Sequence, residues 1–326
     1  MKRFFAMLLA LSLLLSLTVC VQAEPVVLTD MAGREVSIEA VPERIVSGYY
    51  ISTSTLIALG LSDKLVGIEA KADKRPIYKL SAPQLIELPN VGTAKEFNLE
   101  GCLALEPDLV ILPLKLKSAA QTLEELGIPV LLVNPESQEQ LMEMIALLGD
   151  ATGTAHRAGE LADYIQTQQA ALAELLADAD APTVYLGGNS ALLSTAGQAM
   201  YQSDMIVRAG GVNVADEIQD TYWVDISYEQ LLAWDPDYII LASDAAYTAQ
   251  DVLADENLKD CTAVKNGNVF HLPADVESWD SPVPSGFLGS CWMASVLHGD
   301  LVTESDCTAW INEFYGTFYG FTLREN

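Results

Sequence analysis

One ten-residue pattern occurs twice, and it constrains the fold more than any other stretch. Residues 103–112 read Leu-Ala-Leu-Glu-Pro-Asp-Leu-Val-Ile-Leu, and residues 232–241 read Leu-Ala-Trp-Asp-Pro-Asp-Tyr-Ile-Ile-Leu. Six of the ten positions are identical, and Glu100 and Glu229 extend the match at the same offset. Each copy reads as a helix end, a Pro-Asp turn and an apolar strand, because Pro cannot continue a helix and β-branched residues favour a strand. Two copies predict two lobes of one design. Between them lies a polar stretch over residues 150–180, without Gly or Pro after Glu160. Its apolar positions Ala158, Leu161, Ile165, Leu172 and Leu176 recur at helical steps, so one stripe faces a core. Pro182 closes the run.

A chain of 326 residues is long enough for two domains, each with its own core. Short apolar runs alternate with helical stretches on both sides of residues 150–180. That alternation predicts an α/β fold, two Rossmann-like lobes with mostly parallel sheets joined by a single long α-helix. The expected segments are 1–23 (signal peptide), 24–149 (first lobe), 150–180 (linking helix) and 181–326 (second lobe). Ser52-Thr53-Ser54-Thr55 reads as the cap of a short helix over residues 56–59, after a loop at Gly48-Tyr49-Tyr50-Ile51.

The first residues read as a targeting segment. Lys2 and Arg3 precede an apolar run over residues 4–17, and Val21-Gln22-Ala23 is a small-residue cleavage site. A second processing route is lipidation at Cys20, although Val19 departs from the small residue expected before a lipidated Cys. No later apolar run reaches the ~18 residues of a membrane span. Location outside the cytoplasm is therefore expected, with membrane attachment only through a lipid at Cys20. Beyond Cys20 there are Cys102, Cys261, Cys291 and Cys307. Cys291 and Cys307 fall on successive helical stretches and are placed to bridge or to stay as buried thiols. No C-x-x-C spacing signals a redox pair or a zinc knuckle.

The formal net charge of −28 excludes nucleic acid as a natural partner, since phosphates need Lys and Arg. The few cations are uneven. Lys71, Lys74, Arg75, Lys79, Lys95, Lys115 and Lys117 cluster in loops of the first lobe, whereas the corresponding second-lobe loops carry aromatic residues. In open α/β sheets ligands sit beyond the carboxyl ends of the strands. One cationic and one aromatic mouth suit an anionic or metal-chelated ligand with planar parts. Nucleophile-elbow, Walker and dinucleotide-binding signatures are absent. His156, His271 and His298 share no metal-binding spacing, so no protein-bound metal and no catalytic residue is expected. The competing class is an extracellular α/β enzyme using Glu277 or Asp280 as a cleft carboxylate.

Several motifs in order resemble the solute receptors of ABC importers, in the branch that takes ferric siderophores, haem and cobalamin. They are Asp30-Met31-Ala32-Gly33-Arg34, Val41-Pro42-Glu43-Arg44-Ile45-Val46, Leu59-Gly60-Leu61-Ser62-Asp63-Lys64-Leu65-Val66-Gly67, and the two Pro-Asp copies. Gly210-Gly211-Val212-Asn213-Val214-Ala215 and Phe314-Tyr315-Gly316-Thr317-Phe318-Tyr319-Gly320 complete the likeness. The resemblance implies a monomeric, non-enzymatic receptor that closes two lobes on a small-molecule metal chelate by modest rocking. It implies delivery to an ABC permease dimer with its ATPase. A ferric siderophore is the expected ligand, with haem or cobalamin as alternatives. By position, Tyr49, Tyr50, Lys95, Phe97, Trp223, Trp279 and Asp280 are the expected ligand contacts. Asp204 is the expected docking acid of the second lobe. The first-lobe position falls at Pro83-Gln84, where Gln84 is neutral, and Glu87 is the substitute.

Overall fold

The computed structural model describes residues 25–219 and 223–323. The expected signal peptide, Cys20 and residues 220–222 lie outside the described residues. The first lobe holds β1 (Val26–Thr29), β2 (Glu35–Ile38), β3 (Ile45–Ser47), α1 (Tyr50–Ala58), β4 (Leu65–Ile68), α2 (Pro76–Ser81), α3 (Leu99–Leu103), β5 (Leu109–Pro113), α4 (Lys117–Glu125), β6 (Val130–Val133) and α5 (Gln138–Thr152). The connecting helix α6 (Ala155–Leu175) leads to β7 (Thr183–Gly187), β8 (Ser194–Thr195), α7 (Tyr201–Arg208), β9 (Val212–Asn213), β10 (Val224–Asp225), α8 (Tyr228–Trp234) and β11 (Tyr238–Leu241). The chain ends through α9 (Ala249–Leu253), α10 (Thr262–Asn266), β12 (Val269–His271), α11 (Phe287–Leu297) and α12 (Glu304–Phe318).

The first sheet is four-stranded and parallel, in the order β4-β3-β5-β6. Strands β3, β5 and β6 are buried along their whole length, which is why β5 and β6 read as unbroken apolar runs. The second sheet follows β10-β8-β7-β11-β12, with β9 beside β7. Its strands β7, β9, β11 and β12 run parallel, and β8 and β10 form an antiparallel edge. The fold is the expected pair of α/β lobes on a connecting helix.

The repeated Pro-Asp pattern does the same mechanical work in each lobe. Asp108 accepts the backbone N–H groups of Glu43 (2.8 Å) and Arg44 (2.9 Å), fastening the start of β5 to the chain entering β3. Asp237 accepts from the backbone and hydroxyl of Thr183, at 2.9 and 2.7 Å, fastening β11 to β7. The residue before each Pro, Glu106 or Asp235, has positive φ (48° and 43°). Non-glycine residues seldom adopt that conformation, yet both copies do.

Three expectations need correction. The linking helix does not begin at residue 150. Gly153 stops α5 in the left-handed conformation (φ 71°), and a new helix starts at Ala155. The two helices pack closely because Gly149 lacks a side chain; a Cβ there would come within 2.4 Å of Ala158 Cβ. Ser52-Thr53-Ser54-Thr55 is not a cap but the buried middle of α1, which begins at Tyr50. Each hydroxyl is satisfied there: Ser52 on Tyr49 O, Thr53 on Glu69, Ser54 with Tyr319 and Thr55 on Ile51 O.

The third correction concerns the core. The lobes do not have wholly separate interiors. The main apolar cluster joins Leu56, Ile77, Leu109, Leu131 and Ile145 of the first lobe to Phe287, Phe314 and Phe318 near the chain end. The α6 stripe serves both lobes: Ala158, Leu161 and Ile165 enter this cluster, and Leu172 enters the second-lobe cluster. Tyr164 of α6 lies 6.1 Å from Phe287, 5.9 Å from Phe314 and 5.5 Å from Phe318, centroid to centroid. Edge and tilted packing at these distances adds to the burial energy.

Two outcomes follow from this packing. Phe314→Ala removes a fully buried ring from the shared core and is expected to cost about 3–5 kcal/mol. Denaturant unfolding followed by tryptophan emission and circular dichroism should stay one coincident transition; two separate transitions would contradict a shared core. Cys291 and Cys307 are buried with sulfurs 2.6 Å apart, whereas Cys102 and Cys261 sit in the cores of different lobes. Protein from an oxidising compartment should have a Cys291–Cys307 bridge, stabilising by about 3 kcal/mol. Intact mass should be two hydrogens lower, and only Cys102 and Cys261 should alkylate after denaturation.

Candidate functional site

The segments after β3 and β4 meet those after β11 and β12 between the lobes, where Tyr50 reaches Ser281 and one cavity is lined from both sides, as expected at the carboxyl ends of parallel strands. A glycine follows one strand in each lobe because neighbouring side chains fill the space a Cβ would take. At Gly48, directly after β3, a Cβ would stand 2.6 Å from Leu112 and 3.4 Å from the Phe97 ring. At Gly188, directly after β7, a Cβ would stand 2.8 Å from the Trp223 ring. Phe97 and Trp223 are both half-buried. Tyr247 donates its hydroxyl to Gly188 O at 2.9 Å.

Deeper in the cleft a polar network hangs on Glu69, which follows β4 and is 5% exposed. It accepts the Thr53 hydroxyl (2.7 Å) and the Tyr78 hydroxyl (2.7 Å), and Arg75 Nε lies 3.3 Å away. The Arg75 guanidinium also stacks on the Tyr50 ring, 4.0 Å from its centroid. Tyr50 spans the cleft and donates its hydroxyl to Ser281 of the second lobe at 2.9 Å. Tyr49 packs edge-on against Tyr50, centroids 5.4 Å apart. Burial pushes the Tyr50 phenol up to about 12, and raises Tyr49 well above its ordinary value. Both are neutral phenols at physiological pH.

Not every expected contact reaches the cleft. Trp279 is 5% exposed, belongs to the shared core and donates its ring N–H to the Tyr315 hydroxyl at 2.9 Å. Its apolar surface is already covered, so it offers no stacking face. Asp280 is 4% exposed; one carboxylate oxygen accepts the Ser243 N–H at 3.1 Å, and its carbonyl accepts from Gln202 at 2.8 Å. It fixes the loop after β11 rather than meeting a ligand. Lys95 is exposed on a turn held by Thr93. Of the expected cationic loops, Lys79 lies on α2 and Lys117 opens α4. Sequence reasoning missed the roles of Glu69 and Tyr78, because nothing local marks a buried acid whose partners come from α1 and α2.

A cavity of about 210 Å³ opens between the lobes beside this network. Lys71, Lys74 and Arg75 line it from the first lobe, and Asp244, Glu277 and Ser278 line it from the second. A larger cavity of about 740 Å³ runs along residues 178–182 and Asn268, at the opposite end of the second sheet. It borders the amino ends of the strands and is remote from the cleft.

The expected docking acids differ in setting. Asp204 on α7 pairs with Arg208 at 2.9 Å, and Arg208 reaches across to Glu139 of the first lobe at 3.0 Å. Glu87 is exposed at the end of a 3-10 turn. The exposed Asp63 sits beside Gln84, its oxygen 3.5 Å from the amide nitrogen.

The periplasmic binding protein pattern matches residues 45–276, and the chain belongs to that family. It is similar to the molybdate-binding protein MolA of Haemophilus influenzae, 25% identical over 90% of each chain. It is also similar to a cobalamin-binding protein of Halobacterium salinarum, 26% identical over 85% of this chain and 75% of that one. Among solved structures, a periplasmic solute-binding protein of Veillonella parvula superimposes with a TM-score of 0.79 at 29% identity, covering 93% of this chain and 95% of that one. Membership makes this a solute-binding component of the ABC-importer type, and implies a place outside the cytoplasm and a permease with its ATPase as partners.

Glu277 offers a pH test of the site. It is 7% exposed and accepts the Ser285 hydroxyl; burial raises its carboxyl above the ordinary range. An acid whose folded pKa is raised destabilises the fold above that pKa, and the penalty fades as pH falls through it. Glu277→Gln keeps an acceptor for Ser285 and removes the charge. Its thermal midpoint should exceed that of the unaltered protein at about pH 8, and the gap should close towards about pH 4. A gap independent of pH would show that the Glu277 carboxyl has the same pKa folded and unfolded.

Proposed function

We propose that this chain captures a small metal complex in the inter-lobe cleft and hands it to an ABC permease, with a ferric siderophore as the ligand. The observation that carries this reading is the cavity of about 210 Å³ between the lobes, with Lys71, Lys74 and Arg75 on one wall and Asp244, Glu277 and Ser278 on the other. The positive wall suits the anionic oxygens of a chelate, and Tyr49, Tyr50, Phe97 and Trp223 are the aromatic surfaces for its planar parts. The neutral phenols of Tyr49 and Tyr50 suit hydrogen bonding to a chelate. They count against haem ligation by a phenolate, since Tyr50 is pushed up to about 12 and already donates to Ser281. Glu277 and Asp280 are both engaged inside the protein, which disfavours the enzyme reading.

A second reading is a metal oxyanion. The 210 Å³ cavity is compact and has a cationic wall, and the relative from Haemophilus influenzae is described as molybdate-binding. In either reading Asp204 is the second-lobe docking acid, and the first-lobe acid is Glu87. A permease arginine then competes with Arg208 for Asp204.

Titration separates the readings. Purified protein is followed by tryptophan quenching and calorimetry with a ferric tris-catecholate, haem, cyanocobalamin, molybdate and tungstate. The siderophore reading expects a dissociation constant below about 10 μM, or ~7 kcal/mol, for the ferric complex. Tighter binding of molybdate or tungstate would replace it with the oxyanion reading. A Soret band on haem addition, or binding of cyanocobalamin alone, would overturn both.

A further inference from the structure

The Arg75 side chain is held in place while most of its hydrogen-bonding capacity is unused. Its Nε faces Glu69 at 3.3 Å, and its planar face rests on Tyr50 at 4.0 Å. Among the described residues no protein acceptor meets its two terminal nitrogens. The side chain is 31% exposed and lines the 210 Å³ cavity. Its support is itself fixed, because Glu69 takes hydroxyls from Thr53 on α1 and Tyr78 on α2. The donor fork therefore moves as part of the first lobe and loses little freedom on meeting a ligand.

We propose that Arg75 is the anion-reading residue of the cleft, binding a pair of ligand oxygens (carboxylate, catecholate or metal oxyanion) through its terminal nitrogens. The inference rests on the receptor reading above and adds the chemical group by which the ligand is recognised. A guanidinium offers two parallel N–H donors that match two oxygens of one anionic group, and charge-assisted pairs of this kind are among the stronger hydrogen bonds. Lys71 beside it adds positive charge that is exposed and screened by salt. Lys74 adds less, since it already faces Asp73 at 3.1 Å. On the opposite wall, Asp244 and Glu277 accept the hydroxyls of Ser278 and Ser285, so the cationic side belongs to the first lobe alone. The Lys variant separates a purely structural need of Glu69 for a positive neighbour from ligand recognition.

The test compares the unaltered protein with Arg75→Lys and Arg75→Gln by calorimetry, using a ferric tris-catecholate, sodium molybdate, sodium tungstate and uncharged cyanocobalamin. Arg75→Lys keeps a charge beside Glu69 and loses the fork. Binding of the anionic probe should weaken by roughly tenfold to a hundredfold, with the unliganded circular dichroism spectrum unchanged. Arg75→Gln should weaken it further, and Lys71→Ala should weaken it chiefly at low ionic strength. Anion affinity that stays at the unaltered value in Arg75→Lys overturns the proposal and leaves the receptor reading intact. Cyanocobalamin as the sole ligand also overturns it while retaining a receptor. Failure of the unaltered protein to bind any of the four counts against the receptor reading as stated, and removes the anion position with it.

Discussion

The packing of Tyr164 against Phe287, Phe314 and Phe318 is the constraint on which the rest of the architecture depends. These four rings belong to α6, α11 and α12, and together they bind the connecting helix to both lobes. A single helix between two bodies would allow bending and twisting about its axis. A helix whose middle is locked into a close-packed aromatic cluster allows neither without opening that cluster, and interiors resist such changes. The modest rocking expected from an unbroken helix thus has a stronger cause than the absence of Gly and Pro. The observed break at Gly153 lies between two helices that both enter the shared core and pack on each other through Gly149 and Ala158.

The cleft inherits its geometry from this constraint. The polar helix α1 carries four consecutive hydroxyl residues through a buried interior, each paired. Two of those pairs reach key positions: Thr53 holds Glu69, and Ser54 meets Tyr319 from the chain end. The ligand side of the first lobe is therefore referenced to the same C-terminal segment that stiffens the molecule. Tyr50, at the start of the helix, carries the arrangement across to Ser281. The cationic wall and the opposing second-lobe wall face one another as parts of one framework.

Much of the fold was legible because it is written in local patterns. The Pro-Asp repeats specified both sheets, and their aspartates make equivalent fastenings at Glu43–Arg44 and at Thr183. The stripe of Ala158, Leu161, Ile165 and Leu172 is buried as its spacing requires. The Ser52–Thr55 stretch was misread because hydroxyl residues favour helix starts in isolation. Only tertiary partners such as Glu69 and Tyr319 make them tolerable inside. Trp279 was misplaced for the same reason: a tryptophan in a strand-end loop looks like a ligand platform until Tyr315, from a distant helix, takes its ring N–H. Phe97 and Trp223 each lie against a glycine at a strand end. No sequence spacing marks Arg75 as singular among seven clustered cations; the Glu69 and Tyr50 contacts do.

The shared core also bears on the order in which the molecule is made. Ile311, Phe314, Tyr315 and Phe318 lie near the carboxyl end, yet they seal the interior of the lobe that is synthesised first. An emerging chain can form the first sheet, but it has no means of closing the apolar face behind it. Each lobe has a smaller cluster of its own, but the main cluster closes only when these C-terminal residues are present. Closure of the first lobe's interior therefore depends on helices of the second, and the two cannot be finished independently.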